Sequence, residues 1–217
     1  ENPAVLEKEN EILAGIGMRY NNELDVRANH FSTVEVLWKL RKQIREAAVV
    51  GLEGLKVAAH PACHYCKVFY EDVVTDPAFP TVQDEIAEEL GAVSVRRFQE
   101  KLLHCGAGFR QRYTNKSMSL AVTNAKLQEL HEAGVEVLLH MCPNCHVQYD
   151  RYQPLLSQMT KTDYKMLHLH IQQLAALCMG ADPYDVVGLQ THSLKADWLL
   201  ERLKQQPAPL VAVSGGK

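Results

Sequence analysis

The run Val135-Glu136-Val137-Leu138-Leu139-His140 follows a long helical pattern, Lys116 to Ala133, that Gly134 stops, and it leads directly into Met141-Cys142-Pro143-Asn144-Cys145. A helix that ends at glycine and feeds a short apolar strand is part of a strand–helix–strand unit, and such units build parallel sheets. The same order recurs along the chain. Leu55 to His60 reads as a buried strand ending at Pro61-Ala62-Cys63. Thr81 to Leu90 reads as a helix stopped by Gly91, and the alternating run Val93 to Phe98 as a strand leading to His104-Cys105-Gly106-Ala107-Gly108. After Cys145 come a helix, a short strand at Lys165 to Leu169, a helix from His170 to Met179 stopped by Gly180, and a last helix near Ser193 to Leu203. The expected fold class is α/β, a mostly parallel sheet with flanking helices. Ligands of such sheets gather beyond the carboxyl ends of the strands, so the three cysteine loops are expected to converge on one edge.

Ahead of this pattern, Leu6, Ile12, Leu13 and Ile16 have helical spacing over 5–16, and a polar turn follows at Asn21 and Asn22. Ser32 with Glu35 resembles a capping box that opens a helix through Val34, Val36, Leu37, Leu40 and Ile44. The opening residues, from Glu1, are charged and unlike a signal peptide; they read as a chain that has lost residues upstream. With 217 residues and 47% hydrophobic content, there is enough apolar material for one large core. The formal net charge is -3 with scattered lysines and arginines, which excludes the basic footprint that nucleic-acid phosphates demand. Runs such as Leu174 to Met179 fall far short of the roughly 20 residues that span a bilayer.

Six cysteines carry the chemistry: the Cys-x-x-Cys pairs Cys63/Cys66 and Cys142/Cys145, Cys105 beside Gly106, and Cys178 within an apolar helical run. Without a secretion signal they are expected to be thiolate ligands or buried thiols, not disulfides. Thiolates in this number suit zinc, iron–sulfur clusters or soft copper. A structural zinc on the two pairs is one reading. An iron–sulfur cluster is the other, supported by the wide separation of the pairs, by a core large enough to fold without a metal, and by Gly106 and Gly108, which permit close backbone approach. His60, His64, His140 and His146 flank the loops, and in protonated form they would favour a negatively charged cluster. Arg96, Arg97, Arg110, Arg112 and Lys116 surround the Cys105 loop, as a solvated face or as a guide for an anionic thiol or an acidic partner. Cys178 is expected to be an inert core thiol.

The order Cys63, then His104-Cys105-Gly106, then Cys142-Pro-Asn-Cys145, with 36 residues (106 to 141) between Cys105 and Cys142, resembles the cysteine-rich CCG domain of the heterodisulfide reductase B-subunit family. The similarity covers roughly residues 33 to 203, and the chain looks like the second of the family's tandem repeats. The resemblance implies a [4Fe-4S]-type cluster, cubane or noncubane, on Cys63, Cys105, Cys142 and Cys145. It implies an iron–sulfur redox subunit of an oxidoreductase complex, moving electrons to or from a thiol/disulfide substrate, with iron–sulfur or flavin subunits as partners. An electron-relay or anchor-like subunit of a succinate dehydrogenase or fumarate reductase type of complex is the alternative, and a zinc-stabilised interaction module a third. His104 stands where the family has a second cysteine, which makes it a ligand or a proton donor to a departing thiolate, and Cys66 is placed to supply the missing sulfur. His104 and Cys66 are therefore the candidate catalytic residues. The expected organisation is an N-terminal helical extension or linker over 1–50, the cluster-binding domain over 51–204 and a flexible tail over 205–217. The expected location is the cytoplasm, with peripheral association at the inner face of the membrane as a variant.

Overall fold

The computed structural model describes residues 2–20, 32–67 and 74–208. It divides into two compact units, Glu1–Ser32 and Thr33–Lys217. In the first, α1 (Pro3–Ala14) starts on the Asn2 side chain, which accepts from the Ala4 amide at 3.1 Å, with proline at the first helical position where its missing N–H costs nothing. The turn expected at Asn21 and Asn22 lies outside the described residues.

The second unit begins with α2 (Thr33–Lys39) and α3 (Arg41–Ala47), which bury Val34 and Ile44 in its main core. These two helices replace the single one expected. The Arg41 guanidinium takes the Trp38 carbonyl at 2.7 Å and lies over the indole ring, which breaks the helix at Leu40. There follow β1 (Lys56–His60), α4 (Cys63–Lys67), α5 (Val82–Glu89), β2 (Val93–Ser94), a 3-10 turn at Gly108–Arg110 and α6 (Gln111–Thr114). Then come α7 (Lys116–Glu132), β3 (Val137–His140), α8 (Pro143–Thr160), β4 (Leu167–His170), α9 (Ile171–Cys178) and, after a 3-10 turn at Leu189–Thr191, α10 (Asp197–Lys204). The tail expected over 205–217 lies outside the described residues from 209 onward.

The sheet is parallel throughout, in the order β2-β1-β3-β4. Strand β2 is shorter than the run Val93 to Phe98 because the Arg96 carbonyl is captured by the buried Lys101 ammonium at 2.9 Å, which turns the chain off the sheet edge. Lys101 in turn pairs with the buried Asp84 carboxylate at 2.8 Å. One face of the sheet, Val57, Val137, Leu139, Leu167 and Leu169, is apolar and packs with Ile86, Leu174 and Leu199 of α5, α9 and α10. The other face carries Ala58 and Leu138 under Leu127, Leu130 and Tyr149 of α7 and α8. Towards the strand ends this second face changes character, because the register sets His60 beside His140 and His140 beside His170.

The order 2-1-3-4 means that the chain leaves β1 in one direction through α5 and returns past it through α7. Strand order therefore reverses between β1 and β3, the position where an open α/β sheet leaves a crevice at its carboxyl end. Cys63 and Cys142 follow those two strands by three and two residues. Among the described residues no helix is long and apolar enough to cross a membrane.

Candidate metal centre

At this crevice the structure brings together Cys105, Cys142 and Cys145. Cys142 is extended (φ -119°, ψ 126°) and immediately precedes α8, and Pro143 occupies the first helical position. The first turn of a helix presents unsatisfied N–H groups and a positive dipole end, both favourable to thiolates. The Cys142 thiol is accordingly drawn down to about 5, mainly by the Cys145 thiol, against the effect of burial, with help from the Cys145 and Asn144 amides. Cys105 is drawn down to about 7, again mainly by Cys145, with burial opposing and the Ala107 amide assisting. Cys145, held between the other two sulfurs, is pushed strongly up. The three sulfurs thus stand as mutual hydrogen-bond partners, Cys105 and Cys145 buried and Cys142 half-buried. All six cysteines are free.

The Cys105 loop reaches this corner through a set of buried polar anchors. Thr123 of α7 places its hydroxyl 2.8 Å from the Cys105 carbonyl, and Gln148 of α8 donates to that hydroxyl at 2.8 Å. Arg112 donates to Gln148 Oε1 at 2.7 Å and to the Asn144 carbonyl at 3.2 Å, so it braces the start of α8 and also lowers the Cys105 thiol. Gly106 has φ +92°, and a Cβ there would stand 2.4 Å from the Ser119 carbonyl oxygen. Here glycine is required both by conformation and by space. Farther along the loop, Phe109 and Arg110 adopt left-handed backbone (φ 50° and 62°), with Phe109 fully out of the core and its ring 5.8 Å from that of His64.

Cys63 and Cys66 sit three apart on α4, on one face of its single turn. Cys63 is half-buried and Cys66 buried, and burial raises the Cys66 thiol to about 11, with Lys67 opposing and Cys63 adding to the rise. Lys67 ties this helix to the Cys105 loop through the Leu102 carbonyl at 3.0 Å. His104 accepts the Gly106 amide on Nδ1 at 3.1 Å, and burial, then Lys67 and Lys126, lower its pKa. It therefore carries its proton on Nε2 as a neutral donor. Cys178 lies in the apolar cluster on the other face of the sheet, its thiol raised to about 12 by burial.

Of the flanking histidines, His60, His140 and His146 differ from expectation. Burial, before any charge effect, lowers His60, His140 and His168, the last to about 3, and His146 to about 4. They are neutral at pH 7 and add no positive charge. The buried amine is Lys126, which the helical spacing of Leu120, Thr123, Leu127 and Leu130 places on the inward stripe of α7, a signal the cysteine pattern overshadows; burial lowers its pKa to about 7, and the charges of Cys145 and Cys105 oppose that fall. Its ammonium lies 2.9 Å from His60 Nδ1, 2.9 Å from the Lys101 carbonyl and 2.8 Å from the Leu103 carbonyl. A His60 ring nitrogen and the Cys105 and Cys145 sulfurs all lie within 4.8 Å of one another. Tyr149, fully buried against the His60 and His140 rings, has a hydroxyl without a hydrogen-bond partner among the described residues, and burial first, then the charges of Cys105 and Cys145, raises its pKa.

A soft cationic core fits this donor set. Thiolates are the ligands that iron–sulfur clusters and zinc take, and binding releases the protons the sulfurs hold. The thiol order also makes a prediction. In metal-free protein at pH 7, iodoacetamide should label Cys142 first and leave Cys66 and Cys178 unmodified, because only the thiolate reacts. Lowering the pH should slow the Cys142 reaction, to roughly half near pH 5, as the thiol regains its proton. Peptide mapping by mass spectrometry reads the order of modification.

Comparison with known proteins settles the family. Residues 57–150, which hold the three sulfurs and the strands that position them, match the CCG cysteine-rich domain. The chain is 46% identical over 205 residues to the B-type subunit of the ferredoxin:CoB-CoM heterodisulfide reductase of Methanosarcina acetivorans, a match covering 93% of this chain and 65% of that one. It belongs to the heterodisulfide reductase B-subunit family. This member of the family is also 26% identical over 190 residues to the 8-methylmenaquinol:fumarate reductase membrane anchor subunit of Wolinella succinogenes, covering 86% and 63%. The heterodisulfide reductase-like chain thus spans about two thirds of the length of these relatives or slightly less. Among solved structures, a hypothetical protein from Helicobacter pylori shares the fold with a TM-score of 0.55 and 16% identity, over 89% of this chain and 34% of that one.

Proposed function

We propose that the chain is the iron–sulfur redox subunit of a heterodisulfide reductase-like complex, holding a [4Fe-4S]-type cluster on Cys105, Cys142, Cys145 and Cys63 and transferring electrons to or from a thiol/disulfide substrate. The observation that carries this reading is the trio of hydrogen-bonded sulfurs at the β1/β3 crevice, within the cysteine-rich domain. A bound cluster supplies one-electron chemistry and an iron that can take a substrate sulfur. The chain itself holds the sulfurs on three separate loops and keeps water from two of them by burial. It offers His104 Nε2–H as a hydrogen-bond donor beside them, while Cys66 stands one turn from Cys63 as a further sulfur. Partner iron–sulfur or flavin subunits, a cytoplasmic location and association with the inner face of a membrane belong to the same proposal. They are supported by the names of the relatives, which are subunits of reductases.

A second reading, an electron-relay or anchor-like subunit, is favoured by the likeness to the fumarate reductase anchor subunit. Anaerobic purification followed by iron and acid-labile sulfide analysis tests the shared premise. About four irons and four sulfides per chain are expected for a cluster of this type; a colourless protein with one zinc and no iron overturns both readings. Oxidation of the cluster by a disulfide in a single turnover separates the first reading from the second.

A further inference from the structure

We propose that Lys126 is the buried cation of the cysteine site, tying the Cys105 loop to the end of β1 and occupying the His60 lone pair so that His60 braces the site without ligating metal. In its bearing on the cluster this rests on the function proposed above.

An ammonium has three protons in tetrahedral array, and Lys126 Nζ meets three acceptors at 2.8–2.9 Å: His60 Nδ1 and the carbonyls of Lys101 and Leu103. The two carbonyls belong to the segment that delivers His104 and Cys105, and His60 is the last residue of β1, three before Cys63. One fully buried side chain therefore joins the approaches to two of the three cysteine loops. With Lys126 as the ammonium, His60 accepts on Nδ1, which leaves a neutral imidazole with its proton on Nε2. Whichever nitrogen faces the Cys105 and Cys145 sulfurs, no lone pair remains for a metal. The group His60, Cys105 and Cys145 has the spacing of a three-ligand metal site, and Lys126 makes it a cation-backed pair of sulfurs instead. Lys126 faces the Cys105 and Cys145 sulfurs, whose negative charge favours its protonated form against the effect of burial, so beside thiolates or an anionic cluster it carries positive charge within the buried wall. A fixed cation next to an anionic cluster favours its reduced form.

Two variants and three readouts test this. In metal-free wild-type protein at pH 6, below the lowered pKa of Lys126 at about 7, long-range nitrogen NMR of His60 should report the Nε2–H tautomer; the Nδ1–H tautomer overturns the proposal. In iron-loaded protein, Lys126→Met should lower the midpoint potential by at least the 59 mV that corresponds to a tenfold shift in a one-electron equilibrium. An unchanged potential in a folded, iron-loaded Lys126→Met overturns the role of its charge. His60→Gln keeps an acceptor for Lys126 and a donor opposite it. It should retain its iron even if Lys126→Met fails to fold, and loss of that iron would make His60 a ligand and sink the proposal. If wild-type protein binds no iron at all, the proposed function falls while the tautomer measurement still decides the place of Lys126.

Discussion

Cys145→Ser is expected to fold and to lose its iron, falling below about a tenth of the wild-type content, because serine is a hard, weakly acidic donor where a soft thiolate is needed. Cys145 is the right residue to remove because both other sulfurs turn to it: it is the first cause of the lowered thiols of Cys105 and Cys142. The side chain is buried in the first turn of α8, yet serine removes little volume and its hydroxyl finds the same sulfur neighbours. Stability should therefore change by only about 1 kcal/mol, the ordinary cost of a single substitution. Cys178→Ser is the control. It is equally buried, but in the apolar cluster across the sheet, so it should destabilise the fold while leaving the iron in place. Iron and sulfide analysis with circular dichroism on both variants reads the outcome. Full iron content in Cys145→Ser would remove the trio from the ligand set.

Among the described glycines, Gly106→Ala should be the most damaging substitution. The residue has φ +92°, a conformation in which an L side chain is strained by about 1–3 kcal/mol. The new Cβ would also stand 2.4 Å from the Ser119 carbonyl oxygen and 3.1 Å from Thr123 Oγ1. That carbonyl belongs to the backbone of α7 and cannot rotate away, so the Cys105 loop must move instead. Moving it breaks the Thr123 hydroxyl contact with the Cys105 carbonyl at 2.8 Å and the His104–Gly106 bond at 3.1 Å. The expected result is at least about 2 kcal/mol of lost stability, from strain and clash together, and impaired iron incorporation. Urea unfolding of the metal-free protein measures the first and iron analysis the second. Gly108→Ala is the matched control: no atom stands near a Cβ there and φ is ordinary, so little should change.

The fold was legible because its elements are short and locally marked. Gly91, Gly134 and Gly180 end helices at positive φ, as their places after periodic runs suggest, and the strands at Lys56–His60 and Val137–His140 are apolar runs bounded by turn signals. The misreadings had tertiary causes. The single helix expected across Leu40 is broken by the Arg41 side chain on the Trp38 carbonyl. The strand after Val93 is cut short by a lysine that comes from the following loop. Protonated histidines around the cysteines were a sound expectation for imidazoles in water. Burial, which no local pattern encodes, makes His60, His140 and His146 neutral.

What the sequence determined by itself is the inventory and the order: cysteines placed after strands, glycine where Cys105 needs close backbone approach, and strand–helix alternation that forces a parallel sheet with one carboxyl edge. What only the tertiary structure decided is which sulfurs meet and what surrounds them. The reversal of strand order between β1 and β3 opens the crevice there. Packing sets Cys105, Cys142 and Cys145 together while Cys63 and Cys66 share the turn of α4, and it brings Lys126 to His60 across 66 positions of sequence. The physical reason is that desolvation and close approach depend on the whole packed core. A lysine on an amphipathic helix reads as solvated until the sheet closes over it.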